Sequence, residues 1–237
     1  LIAVVLHFQA GLAGGGSLIT IAVLVFFGLP SPVANGTNRV AILMQNIVSL
    51  IRFRQKGKLE ARRSALAVTS AMAGAIGGSL IAAELPEEVF DIALASVLLL
   101  VVATLFIRKP TSTSEQARAA PGWLQIPVFV GVGLYGGFVQ AGVGFLLIAG
   151  ITWLLGLDLV KTNATKTFVI AFYSVLALSI FTIYGQVFWI MGLIVGAGSM
   201  LGAWIGVHFA VQRGAKAVRW VIVVAAGASA LRLIGVF

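Results

Sequence analysis

Two uncharged runs, Ser64 to Ala83 (SALAVTSAMAGAIGGSLIAA) and Val187 to Val207, dominate what this chain can become. Each is about twenty residues long, enough to cross a hydrocarbon core of about 30 Å as a helix. Comparable stretches recur along the chain, and with 60% hydrophobic and 10% charged residues there is too little polar surface to cover a water-soluble fold. A β-barrel would need short segments alternating apolar with polar residues, and no such alternation is present. The expected fold class is all-α, a polytopic transmembrane helical bundle. The apolar opening residues lack the basic n-region and small-residue cleavage site of a secretory signal, so none is expected.

A shift of 128 residues lays one half of the chain on the other without a gap. Gly14, Gly16 and Gly28 fall on Gly142, Gly144 and Gly156, Asn35 and Thr37 on Asn163 and Thr165, Gly57 on Gly185, and Gly74 and Gly78 on Gly202 and Gly206. This divides the chain into a first repeat (1–108), a polar linker (109–122, KPTSTSEQARAAPG) expected on the cytoplasmic side, and a second repeat (123–237). Each repeat reads as a glycine-interrupted apolar stretch followed by three spans. The spans are Ala34–Phe53, Ser64–Ala83 and Val89–Ile107, then Thr162–Ile183, Val187–Val207 and Ala217–Phe237.

Charge decides how the repeats are related. If every stretch crossed once, both repeats would point the same way and Arg213, Lys216 and Arg219 would face outside, against the positive-inside rule. If each interrupted stretch enters and leaves on one side, as a re-entrant hairpin or a pair of crossings, the repeats invert. The cytoplasmic side then gathers most of the basic residues, including Arg52, Arg54, Arg62, Arg63, Lys161 and Lys166, and leaves Arg39 and Arg232 outside. Inverted repeats with both termini outside are therefore expected. The net charge of +9 follows the loops of this topology and does not form a nucleic-acid surface, so no nucleic-acid partner is expected.

Broken helices at matching positions of inverted repeats mark substrate sites near the membrane midplane. The breaks read GLAGGGS (Gly11–Ser17) and GGFVQAGVGF (Gly136–Phe145). A turn there exposes the amides that open the following half-helix, and an anion would satisfy them. Candidate binding residues are Gly14, Gly15, Gly16 and Ser17 at the first break, and Gln140, Gly142 and Gly144 at the second. The start of the next span adds Asn35, Thr37, Asn38 and Arg39 in one repeat, and Asn163, Thr165 and Lys166 in the other, with Gln45 and Tyr173 further inward. Asn35 and Asn163 can equally be read as ordinary helix N-caps, and Arg39 and Lys166 as headgroup-region cations. Gly74, Gly77, Gly78, Gly202 and Gly206 are read as helix-packing residues, and Gly78→Ala as mild beside Gly16→Val and Gly144→Val.

No Ser or Cys with a base, no paired carboxylates and no H-E-x-x-H set is present, and the chain has no cysteine, so no enzyme, catalytic residue or metal site is expected. His7 and His208 stand apart from acidic clusters, and all seven acids lie in or near loops. Without a buried carboxylate, anion transport fits better than a carboxylate proton pump or a cation carrier.

At these motifs the chain resembles the TauE/SafE family of sulfite and organosulfonate exporters, also called the sulfonate permease family. The resemblance rests on GLAGGGSLI, the following GLP (Gly28–Pro30) and ANGTNRV in the first half, and on QAGVGFLLI and TNATKTF in the second. It implies a multi-pass carrier of the bacterial inner (plasma) membrane for sulfite, sulfonates, thiosulfate or similar small sulfur-containing anions, without a prosthetic group, and the paired breaks lead to the expectation of secondary transport by alternating access. A coupling ion, proton or sodium, is left open, as is an anion channel built on the same broken-helix site.

Overall fold

The computed structural model describes residues 16–96 and 121–205, and every structural statement below concerns these residues. Eight helices are described: α1 (Gly16–Phe26), α2 (Ser31–Gln55), α3 (Ala61–Glu84), α4 (87–96), α5 (Gly122–Phe138), α6 (Val143–Leu155), α7 (Leu159–Ile183) and α8 (Trp189–Ile205). No strand occurs among the described residues. By length and composition α3 and α7 are the helices able to cross a membrane. The 25-residue α2 is as long as α7 but carries Arg39, Arg52 and Arg54.

Helix bounds and turn glycines agree at the shift of 128 residues read from the sequence. A shift of 128 carries Ser31–Gln55 onto Leu159–Ile183, and the positive-φ glycines that follow helices pair as Gly28 with Gly156 and Gly57 with Gly185. Both long helices begin three residues earlier than the sequence suggests. Pro30 precedes α2 and Asp158 caps α7, its carboxylate accepting from the amides of Val160 and Lys161. Asn35 and Asn163 therefore stand inside their helices, and the N-cap reading of them is wrong.

Contacts fix the relative directions of the helices. Gly36 of α2 lies against Phe181 near the end of α7, while Phe53 packs with Ala164 and Val160 near its start. The repeat-equivalent helices α2 and α7 are thus antiparallel. The helix α3 runs parallel to α7, since Glu60 meets Lys161 at one end (2.7 Å) and Glu84 accepts from the Tyr184 hydroxyl at the other (2.7 Å). Between them Ser64 and Thr165 share a hydrogen bond of 3.1 Å, and the same shift of 128 turns that contact into the one between Gly192 and Thr37.

The tightest seam joins α3 to α5 through small residues. Cβ atoms added at Gly74 or Gly78 would strike the carbonyls of Val130 or Leu134, and at Gly133 or Gly137 those of Ala71 or Ala75. These glycines pack backbone on backbone, as small residues do between membrane helices. A Cβ at Gly78 has no room, so the expectation that Gly78→Ala is mild does not hold.

The Glu60–Lys161 pair is half-exposed, and Lys161 holds the Glu60 carboxyl below its ordinary value of 4.5 by donating to it. A depressed carboxylate stabilises fully above its unfolded value and loses that contribution as pH falls through the folded one. Glu60→Gln should therefore cost less than about 1 kcal/mol near neutral pH and nothing in strong acid, as thermal unfolding at the two pH values would read.

Of the sequence expectations, Gly14 and Gly15, His7, His208, most of the linker, the last span of the second repeat and the end of that of the first lie outside the described residues.

Candidate functional site

The second break is a true helix interruption. After Phe138 the chain leaves the helical region at Val139 (φ −132°, ψ 105°), and it re-enters at Val143 after Gly142 in the left-handed region (φ 72°). A side chain at Gly142 would be strained there. No side chain caps the first turn of α6.

The end of a helix leaves its last carbonyls without helical partners, a serious cost away from water. Here Arg39 supplies the donors. Its Nη1 donates to the Gly136 carbonyl (2.5 Å) and to Gln140 Oε1 (2.8 Å), and its Nη2 donates to the Gly137 carbonyl (2.7 Å), with Phe138 O at 3.5 Å. Asn35 Nδ2 donates to Phe138 O (2.9 Å), and the Ser79 hydroxyl donates to Gly137 O (3.2 Å). A cation at a helix C-terminus is also favoured by the peptide dipoles, and the Phe181 ring lies 5.2 Å from the guanidinium carbon. Arg39 is 0% exposed, so its expected place at the outer interface is wrong: the carbonyls of α5 draw it into the core.

The break continues into α7 and α1. Gln140 Nε2 donates to the Tyr173 hydroxyl (2.8 Å), and the Ser17 hydroxyl donates to Gln140 O (3.1 Å). Tyr135 closes the turn by donating to Ala141 O. The Tyr173 hydroxyl would lie 2.9 Å from a Cβ at Gly136, so glycine there opens the way to Gln140. Ser17, Asn35, Arg39, Gln140, Gly142 and Tyr173 are thus brought together.

Other candidates serve neighbours. Thr37 Oγ1 accepts from the Phe188 amide (2.8 Å) at the start of α8, and Thr165 holds Ser64. Asn163 Nδ2 donates to Leu159 O within its own helix (2.9 Å). Several buried polar atoms have no hydrogen-bond partner, among them both amide atoms of Asn38, Oδ1 of Asn35 and Asn163, Gln45 Oε1, Lys166 Nζ and Ser174 Oγ. Lys166 is 3% exposed, so it too lies in the interior and not at a headgroup. Ser174 was missed by the candidate set, although it follows Tyr173 directly in the same polar pair of the sequence. Among the described residues the one ion pair is Lys161–Glu60, at the surface, and the described acids occupy exposed or partly exposed positions at helix ends and loops. No group of ligating residues that would hold a metal occurs among the described residues.

A helical membrane bundle whose broken helix is held by a buried cation has the construction of a membrane transport protein. The family model described as Sulfite exporter TauE/SafE matches residues 1–233, and the chain belongs to that family of membrane transporters. It is similar to the probable membrane transporter protein ORF9 of a Sinorhizobium species, 29% identical over 96% of this chain and 87% of the relative. It is also similar to a probable membrane transporter protein of Haemophilus influenzae (28%, covering 93% and 87%) and to the probable membrane transporter protein YfcA of Escherichia coli (25%, covering 98% and 87%). No solved structure matches it.

Proposed function

We propose that this protein is a secondary transporter of the bacterial inner membrane that moves sulfite, a sulfonate or a related small sulfur-containing anion by alternating access. The observation that carries the reading is the burial of two cations, Arg39 and Lys166, in a family of transporters, with no described carboxylate beside either. Burying a charge without a counter-charge is costly, and an anionic cargo offsets that cost when bound. The antiparallel course of the repeat-equivalent α2 and α7 supports inverted repeats, and the interruption at Val139–Gly142 supports a site at the breaks. In an inverted pair, equivalent turns face opposite sides of the membrane. The chain has no cysteine, so Lys56→Cys and Tyr184→Cys, at equivalent positions, should label from the cytoplasmic and outer sides respectively. Labelling of both from one side would contradict the inversion.

The substrate class is tested by thermal unfolding of the purified protein with sulfite, methanesulfonate, thiosulfate, sulfate or chloride. A ligand at a hundred times its dissociation constant adds about 2.7 kcal/mol of stability. Protection by a sulfur oxyanion and not by chloride is expected. Equal response to all five, or to none, would remove the sulfur-anion reading.

A further inference from the structure

The two buried cations are in different chemical situations. The Arg39 guanidinium is largely committed to the break: both terminal nitrogens donate to carbonyl and amide oxygens of Gly136, Gly137 and Gln140, and only its Nε is without a partner. Lys166 Nζ has three N–H donors and no acceptor at all. The two are not interchangeable by place either. Arg39 lies beside Phe181 and, through Gln140, reaches the Tyr173 hydroxyl, so its contacts on α7 fall seven to fifteen residues beyond Lys166, about 10–22 Å of helix rise. Lys166 shares one face of α7 with Ile170 and Tyr173, and Asn163 and Ser174, each with an unpartnered oxygen, flank that face. At the repeat-equivalent position on α2 stands Asn38, buried, with its amide nitrogen and oxygen both unpartnered.

Resting on the transporter reading above, we propose that Lys166 is the residue that takes the charge of the substrate, and that the substrate travels as a singly charged sulfur oxyanion, a sulfonate or hydrogen sulfite. Arg39 is a positioning residue that holds the break. Lys166 is the buried cation with every donor free, so it pairs directly with one negative charge, and among the described residues no second such cation is present for a dianion. The ammonium's three donors suit sulfonate oxygens.

The roles separate by the sign of a stability change. Removing an unpaired buried charge relieves the protein, whereas removing a committed one leaves its partners unsatisfied. Without ligand, Lys166→Met should therefore raise the unfolding midpoint and Arg39→Met should lower it. In titration calorimetry on the full chain with methanesulfonate and sulfate as probes, wild type should bind the monoanion more tightly. Lys166→Gln should weaken methanesulfonate binding about ten- to a hundredfold, the worth of a hydrogen bond to a charged group, and Lys166→Arg should restore most of it. Wild-type affinity in folded Lys166→Gln, or a lowered midpoint in Lys166→Met, would overturn the assignment while leaving transport of sulfur anions intact. Tighter binding of sulfate than of methanesulfonate by wild type would overturn the single-charge class. Failure of wild type to bind either methanesulfonate or sulfate would overturn the sulfur-anion reading and this inference with it.

Discussion

Arg39→Leu should be the most damaging single change outside the seam glycines, collapsing the α5–α6 break and with it the yield of folded protein. The substitution leaves the Gly136 carbonyl and the side-chain oxygen of Gln140 without their donors, and the Gly137 carbonyl with the Ser79 hydroxyl, in a site screened from solvent. Each unsatisfied buried group costs about 1–3 kcal/mol, so the loss is a large fraction of the roughly 5–15 kcal/mol that holds a typical domain. Arg39→Lys keeps the charge but replaces a planar fork by a point donor, and it should recover part of the yield and no more. Monodispersity in detergent and the unfolding midpoint of the three proteins would measure this. A folded Arg39→Leu protein with a wild-type midpoint would show that the carbonyls find other partners.

Gly137→Val should be nearly as severe, for a reason of space. The added Cβ would meet the carbonyl and Cα of Ala75 across the α3–α5 seam, and neither is the end of a flexible side chain that can move aside. Overpacking of a close-packed interior costs about 1–3 kcal/mol, and here two helix backbones must separate along a seam of four glycines. Gly78→Ala should share the effect through the Leu134 carbonyl, whereas Gly77→Ala, with nothing within 4 Å of the added carbon, should be neutral. Comparable unfolding midpoints for Gly137→Val and Gly77→Ala would remove the seam from the account.

The matching helix bounds were legible in the sequence because glycines leave a fixed trace. Gly28 and Gly156, Gly57 and Gly185 mark turns whose backbone needs them, and their spacing carries into helix bounds that match at the same shift. The second break was legible for the same reason, since Gly142 in the left-handed region sits among Gly136, Gly137 and Gly144, residues that weaken a helix. The role of Arg39 was not. Its partners are main-chain carbonyls about a hundred residues away, and a carbonyl carries no residue type for a sequence pattern to reveal. Charge alone placed Arg39 at the outer interface, and only the course of α2 past the end of α5 brings the guanidinium to the oxygens it binds. The N-cap reading of Asn35 and Asn163 failed because Pro30 and Asp158 start the helices one turn earlier. Gly78 was correctly read as packing but misjudged in cost, because the sequence does not show that its neighbour is a backbone oxygen.

The central claim, carriage of a small sulfur-containing anion by alternating access, is met most directly by counterflow. Purified protein is reconstituted in liposomes loaded with unlabelled sulfite, and the uptake of trace labelled sulfite is followed with and without that internal load. Alternating access predicts that internal sulfite accelerates uptake and drives a transient accumulation above equilibrium, while internal chloride does neither. Uptake at the same rate whatever the internal anion would contradict a carrier and point to an open anion pathway.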